Sequence, residues 1–345
     1  MSRVYILLLN WNNWEDTLEC LESLLRLDYP DYRLVVCDNG SSDQSVEHLV
    51  AWARGFLDVL PEKRILSPTP APAAKPLSVA VYDRIAAEQG GEVDAQLVII
   101  RNGANLGFAA GNNVGLRYVL ARGDADFIWV LNNDTMADPA ALRTLVARMA
   151  QRPDAGICGS TILNYWRPGQ IDGLGGALYF RWLGLAWHLG RGRAWPRYCN
   201  TEAIQRRMDY VIGASMFVTP RFLREIGLME EGYFLFYEEL DWAVRCRGRF
   251  ALAYAPESIV YHKVGGTIGT ASHPVRKSRL ADFYTLRNRL RFTRRYCPWA
   301  LPTVYLGVLV AVIVRLLFGE WRKAVTAWRL LSRPHLSFEE CAGDQ

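Results

Sequence analysis

The sequence predicts an α/β protein, with a mostly parallel central sheet flanked by helices and a helical C-terminal segment. Three observations carry this reading. Short apolar runs alternate with helical patterns through the first 160 residues. Each of the first four runs leads into Asn or Asp. The last 70 residues join an apolar stretch to a concentration of Lys and Arg. At 345 residues, half of them hydrophobic, the chain can bury a large core. Strand–helix alternation implies parallel strands with helices on both faces.

The elements follow in order. "RVYILLL" is a first strand; its apolar run is too short for a secretory leader, so export is not expected. "WEDTLECLESLLRL" carries leucines 18, 21, 24, 25 and 27 at helical spacing. "YRLVVCD" is a strand, "NGSSD" a turn and helix cap, and "QSVEHLVAWARG" a helix. Residues 60–96, rich in Pro and Ala in their first half, read as an inserted excursion, partly flexible. "AQLVIIRN", "GFAAGNNVGLRYVLARG" and "DFIWVLNND" continue the alternation. "GICGSTILN" is a further strand, 169–200 is irregular or hairpin structure, and "MDYVIGASMFVTP" is a strand leading into "PRFLREIG", a short helix. "LAYAPESIVYHKVGGT" closes the series. The seven scattered cysteines include no CxxC pair, which argues against a zinc site or disulfide framework and suits a reducing compartment.

In open parallel sheets, ligands bind beyond the carboxyl ends of the strands, where strand order reverses. Here those ends offer Asn10, then Asp38, then Asn102 and Asn105, then Asn132, Asn133 and Asp134. Gly107 and Gly111 open the third helix without the GxGxxG pattern that a dinucleotide site needs after the first strand, which excludes a dehydrogenase. "YEELD" supplies Glu238, Glu239 and Asp241 behind an aromatic cluster. One of these beside aromatic rings could have a raised pKa and serve as a base, while Asp241 could instead pair with Arg245 one helical turn on. His262 ends "SIVYH" and becomes a plausible metal ligand beside an aspartate.

Taken together, "LNWNNWEDTLECLESLL", "VVCDNGSSD", "NGANLGFAAGNNVG", "VLNNDT", "VIGASMFV", "YFLFYEELDWAVR" and "VYH" resemble the family-2 glycosyltransferases of GT-A fold, in their rhamnosyltransferase-like branch. The resemblance runs from about residue 3 to 290. It implies an inverting transfer of a sugar from a nucleotide-sugar donor. Asn10 and Asp38 would line the pocket for base and ribose; Asn105, Gly107 and Asn112 would lie near the diphosphate and sugar. Asn132, Asn133 and Asp134 stand where the family has its Asp-x-Asp motif, with Asp134 and His262 as ligands of Mg²⁺ or Mn²⁺. Glu239 falls at the general base, with Glu238 and Asp241 as alternatives. Two departures stand out: Asn132 for the first aspartate of the motif, as is common in this branch, and Glu for Asp at 239.

Residues 276–333 hold about 13 Lys/Arg against about 2 Asp/Glu. "ALPTVYLGVLVAVIVRLLFG" is nearly all apolar, interrupted by Arg315, and Trp321, Val325, Trp328 and Leu331 share one helical face. Basic residues bordering an apolar segment point to an anionic membrane surface rather than nucleic acid. The expected organisation is a catalytic domain over 1–270 carrying the 60–96 insertion, a membrane-association segment over 271–335, and a tail over 336–345. The expected place is the cytoplasmic face of a membrane, held peripherally or by one C-terminal segment. The expected acceptor is a glycan or lipid-linked glycan of cell-surface polysaccharide synthesis, and the expected donor dTDP-rhamnose. An inactive glycosyltransferase-like membrane scaffold and a nucleotidyltransferase are the rival readings.

Overall fold

The computed structural model describes residues 2–59, 74–195, 200–263, 277–338 and 340. In chain order the first half comprises β1 (Val4–Asn10), α1 (Trp14–Leu24), β2 (Tyr32–Asp38), α2 (Ser45–Ala53), β3 (Val79–Asp83), α3 (Arg84–Glu88), β4 (Leu97–Arg101), α4 (Gly107–Arg122), β5 (Phe127–Asn132), β6 (Thr135–Ala137) and α5 (Ala141–Gln151). Then come β7 (Ala155–Asn164), β8 (Ile171–Leu174), β9 (Gly176–Phe180), β10 (Leu185–His188), α6 (Thr201–Arg207), β11 (Tyr210–Val211), β12 (Ser215–Val218), α7 (Pro220–Ile226), α8 (Glu238–Cys246) and β13 (Ala251–His262). Three helices follow: α9 (Arg279–Tyr296), α10 (Leu301–Leu317) and α11 (Trp321–Ser332).

One sheet organises the chain, in the order β10-β9-β8-β7-β12-β5-β1-β2-β4-β3. The five strands from β5 to β3 are parallel, as expected of buried β/α units. β12 runs antiparallel against β5. Strand order reverses at β1, with β2, β4 and β3 on one side and β5 on the other, so the ligand crevice is expected above its carboxyl end.

Leu18, Leu21 and Leu24 of α1 and Leu49 and Trp52 of α2 pack with Ile6, Leu8 and Val36 on one face of the sheet. α4 covers the opposite face with Val114, Leu116 and Val119 against Tyr5, Leu7 and Val35. It comes close because of Gly115, where a Cβ would lie 2.2 Å from Leu7 Cδ1. Three helical elements gather at the end of the chain, where Val304, Val308 and Val312 of α10 bury themselves with Leu286 and Leu290 of α9 and Ala327 and Leu330 of α11.

The fold class is the one the sequence predicts; two segments differ in detail. Part of the excursion over 60–96 belongs to the sheet: β3 pairs in parallel with β4 as its edge, and α3 packs on α4. The five-residue strand follows a Pro-rich stretch and exposes Val81, so its apolar signal is weak. Residues 60–73 of that excursion lie outside the described residues, as does the boundary expected at 270. The strand expected over "MDYVIGASMFVTP" is two, β11 and β12, broken at Ile212–Ala214.

Candidate active site

Sheet register aligns the polar strand ends. Asn10 faces Asp38 across the β1–β2 pair, and Asn132 faces Leu9 across β1–β5. Asn10 Nδ2 donates to Asp38 Oδ1 at 3.0 Å, while Thr17 Oγ1 donates to Asn10 Oδ1 at 2.7 Å. Asn133 Nδ2 donates to Thr17 Oγ1 at 2.9 Å. A hydrogen-bonded line therefore crosses the switch point from β2 to the turn after β5. Asn10 is fully enclosed, so it orients its neighbours from behind the crevice wall. Thr17 was not singled out by sequence; its signal was a hydroxyl in the first turn of the helix that follows Asn10.

A second polar group joins β2 to the start of α4. Asn39 accepts from Asn102 Nδ2 and Leu106 N, and donates to Asn105 Oδ1 at 2.9 Å and to the Gly107 carbonyl at 3.2 Å. Asn105 Oδ1 also accepts from Gly107 N. Asn39 lay inside a quoted motif but was not picked out beside Asp38. Gly107 has φ +79° and presses on Phe234, whose carbonyl a Cβ would approach to 2.4 Å. Asn112 is buried on α4, its amide donating to the Phe108 carbonyl and its Oδ1 without a partner among the described residues.

At the end of β5, Asp134 Oδ1 and His262 Nε2 stand 3.2 Å apart. The antiparallel pairing of β6 with β13, which sets Thr135 opposite His262, brings them together across 128 residues of sequence. Burial alone would raise the Asp134 pKa, but the charge and hydrogen bond of His262 outweigh it and hold it below the usual value. His262 is raised reciprocally: its burial acts downward, and Asp134 overcomes it. Asn132 Oδ1, two residues away, is enclosed and without a partner among the described residues. Among the described residues no three His, Cys, Asp or Glu side chains form a ready cage. The donors present are one carboxylate, one imidazole and one orphan amide oxygen, which suit a hard divalent cation that takes its other ligands from phosphate and water.

The glutamates stand on strained backbone. Phe234, Phe236 and Tyr237 all have φ between +66° and +76°, a region bulky residues rarely adopt. Asn288 of α9 holds this loop, its amide donating to the carbonyls of Tyr233, Leu235 and Phe236 at 2.8, 2.7 and 3.1 Å. Phe234 stacks on Tyr284, and Arg287 and Arg291 donate to the Gly232 carbonyl. Asn288 gave no signal in the sequence, because it sits in a basic stretch more than forty residues beyond the glutamates.

Within α8 the three carboxylates divide. Asp241 is fully buried and committed: Arg245 donates to it at 2.6 Å, Tyr296 at 2.7 Å and Tyr233 at 3.3 Å. Glu238 is enclosed, and burial together with the neighbouring Glu239 pushes its pKa well up. Glu239 keeps part of its surface open, but its Oε2 is enclosed and has no partner among the described residues, and burial pushes its pKa up to about 7. Its carboxyl group lies 3.7 Å from the position of a Cβ on Gly213. The next residue, Ala214, accepts a hydrogen bond from Asn132 N at 3.1 Å. The break between β11 and β12 thus joins the glutamate to the Asn132–Asp134 turn.

Residues 2–291 match the sequence profile of the family described as "Glycosyltransferase like family 2". The chain belongs to this family. Family membership carries the enzyme class, a glycosyltransferase, and removes the nucleotidyltransferase reading. A low-salt glycan biosynthesis hexosyltransferase of Haloferax volcanii is 28% identical over 149 residues. That match covers 43% of this chain and 45% of the relative, so it spans under half the length of either. A mannosyltransferase from Pyrobaculum calidifontis, solved with GDP-Man and Mn²⁺, superposes with TM-score 0.52 at 13% identity, over 100% of this chain and 88% of its own. S. aureus TarS 1–349 with UDP-GlcNAc gives 0.51 at 12%, over 97% and 82%. At such identities the likeness is one of fold, and it matches the GT-A architecture expected of the family.

Proposed function

We propose that this protein transfers a sugar from a nucleotide-sugar donor to a hydroxyl of a lipid-linked glycan, inverting the anomeric carbon, at the cytoplasmic surface of a membrane. The observation that carries the reading is the juxtaposition of Glu239, the least enclosed carboxylate residue of α8, with the Asp134–His262 pair across the Gly213–Ala214 break. The donor would lie over the carboxyl ends of β1, β2 and β5, its nucleoside against Asp38 and its diphosphate toward Asn132–Asp134. Asn10, Thr17, Asn39 and Asn133 keep those walls in place.

The acceptor hydroxyl attacks the anomeric carbon while its proton passes to Glu239. The bond from that carbon to the β-phosphate oxygen breaks, and its electron pair leaves with the nucleoside diphosphate. One base and no covalent nucleophile make a single displacement, hence inversion. A pKa near 7 leaves Glu239 ionised often enough to accept the proton and basic enough to hold it. Glu238, enclosed and held protonated, spares the site a second charge. Asp134 and His262 would hold Mg²⁺ or Mn²⁺, with Asn132 Oδ1 available to it, and such an ion when bound supplies positive charge to the departing diphosphate.

The motif resemblance favours a deoxysugar donor, dTDP-rhamnose first among them. The membrane reading is supported by α10 and α11. The helix Pro298–Leu317 has mean hydropathy 2.2 and leaves Leu306, Val310, Ile313 and Leu317 exposed, and α11 exposes Trp321 and Trp328. Arg315 of α10 is buried against Asp282 of α9 in a two-pronged ion pair at 2.5 and 2.9 Å. Crossing a bilayer alone would strip α10 from that partner, which favours a helix lying in the membrane surface with its outer face toward lipid.

The test is release of nucleoside diphosphate from a panel of sugar nucleotides with Mg²⁺ or Mn²⁺, with and without membrane lipid extract. Lipid-dependent release from one donor, lost in Glu239→Gln and in Asp134→Ala, is the expected outcome. Metal-dependent nucleotide binding without release from any donor in lipid extract would favour the inactive scaffold.

A further inference from the structure

Arg289 of α9 is out of balance with its surroundings. It is 5% exposed, its Nε is enclosed without a partner, and no acceptor meets its guanidinium among the described residues. It is wedged between two glycines. A Cβ on Gly184, in the turn between β9 and β10, would lie 2.8 Å from its Cγ; one on Gly307 of α10 would lie 2.3 Å from its Nη2. Neighbouring charge makes the imbalance larger. Among the described residues, Lys277, Arg289 and Arg315 share this corner of the fold with one carboxylate, Asp282, both of whose oxygens Arg315 already occupies. A buried guanidinium without an anion is costly, and an incoming anion would relieve that cost.

What surrounds this corner says which anion. On one side Tyr237, which directly precedes the glutamate pair, donates to the Gly184 carbonyl at 2.8 Å. On the other lies the apolar outer face of α10. Trp182 and Leu183 of the turn are exposed; Trp182 packs edge-on against Trp299 at 4.5 Å, and its carbonyl accepts from Thr303 Oγ1. The turn and the start of α10 therefore make one apolar rim, with Arg289 behind it. We infer that Arg289 seats the phosphate of a membrane amphiphile, which enters between the β9–β10 turn and α10 with its alkyl chain along the outer face of α10. A guanidinium fork matches phosphate oxygens better than any other side chain does. The inference deepens the acceptor reading above and rests on it for the direction of the sugar, toward Glu239.

The test uses the full chain in neutral detergent micelles, titrated with dodecyl phosphate and followed by tryptophan fluorescence. Dodecanol and inorganic phosphate serve as controls for each half of the ligand. Saturable binding of dodecyl phosphate is expected, weakened at least tenfold in Arg289→Gln and only partly in Arg289→Lys, with dodecanol and inorganic phosphate far weaker. Equal binding by wild type and Arg289→Gln overturns the inference, as does dodecanol binding as well as the phosphate. Should Arg289→Gln not fold, Gly307→Ala sets a methyl group where Nη2 sits and is expected to weaken the same binding. Phosphatidylcholine vesicles carrying either phosphatidylglycerol or a polyprenyl phosphate then separate the sources. Arg289-dependent binding to phosphatidylglycerol assigns the seat to a bilayer headgroup; dependence on the polyprenyl phosphate alone assigns it to the lipid carrier of the acceptor. Loss of donor turnover in wild type with the phosphate seat intact would remove the transferase reading and leave the seat standing.

Discussion

The two ends of the candidate site are built by opposite means. The donor end is made of strand termini, where Asn10, Asp38, Asn132 and Asp134 are set by sheet register and by hydrogen bonds among near neighbours in the fold. The acceptor end is a strained loop, three aromatic residues with positive φ, held by one amide from α9. Backbone geometry fixes the first; a distant side chain fixes the second. Damage to the donor end should appear in nucleotide and metal binding, and damage to the acceptor end in turnover.

Glu239→Gln tests this most severely. Loss of the base is expected to lower kcat by about 10³-fold with donor affinity unchanged. In the wild type, the rate should climb as pH rises through about 7, where Glu239 ionises, and level off above it. A variant that keeps both its rate and that rising limb would move the base elsewhere. Asp134→Ala is expected next, with kcat/KM reduced about 10²-fold and most of the loss in donor and Mn²⁺ affinity, read by calorimetric titration. Losses confined to turnover would erase the distinction between the two ends.

Asn288→Ala sharpens the contrast, because it touches neither substrate. Three carbonyls lose their donor, so a loss of about 1–3 kcal/mol of stability is expected, with kcat down about tenfold and donor KM unmoved. The last effect expected is on the pH dependence of stability. Glu239 has a folded pKa raised from 4.5 to about 7, so the fold binds its proton more tightly than the unfolded chain does. As pH rises from 4.5 to 7 the unfolded chain ionises first and the native state loses ground; above 7 the difference is constant. Glu239→Gln removes this burden, so its Tm should match wild type near pH 4.5 and exceed it by a widening margin up to pH 7. A margin that does not vary with pH would mean that the carboxyl group titrates normally.

Much of the donor end was legible because parallel strands put their carboxyl ends on one edge. A run such as "VLNNDT" reveals the edge, and Asp134 and His262, which the resemblance names together as metal ligands, stand 3.2 Å apart. Thr17 and Asn39 went unread since a helix hydroxyl and a turn amide have ordinary structural uses. The acceptor end was legible only as chemistry. "YEELD" offered three carboxylates, and the one-turn spacing raised the Asp241–Arg245 pair, but nothing in it said that Tyr233 and Tyr296 also hold Asp241 while Glu239 is the least enclosed of the three. The role of α9 was hidden by its composition. A helix rich in arginine reads as a surface for lipid, yet along it Asn288 and Tyr284 grip the strained loop before α8 and Tyr296 holds Asp241 of α8.

The grip of Asn288 has a consequence for the order of synthesis. Chains emerge from the ribosome N-terminus first, and domains begin to fold as they emerge. The sheet and every donor-side residue through His262 can be in place before α9 appears. The base loop can settle into its left-handed turn only after α9 has docked, and α9 docks against the two helices still to come. On the proposed function, a nascent chain would therefore grip nucleotide before it could spend it, and the finished catalyst would arise together with the helices proposed to meet lipid. Activity and address would mature in one event.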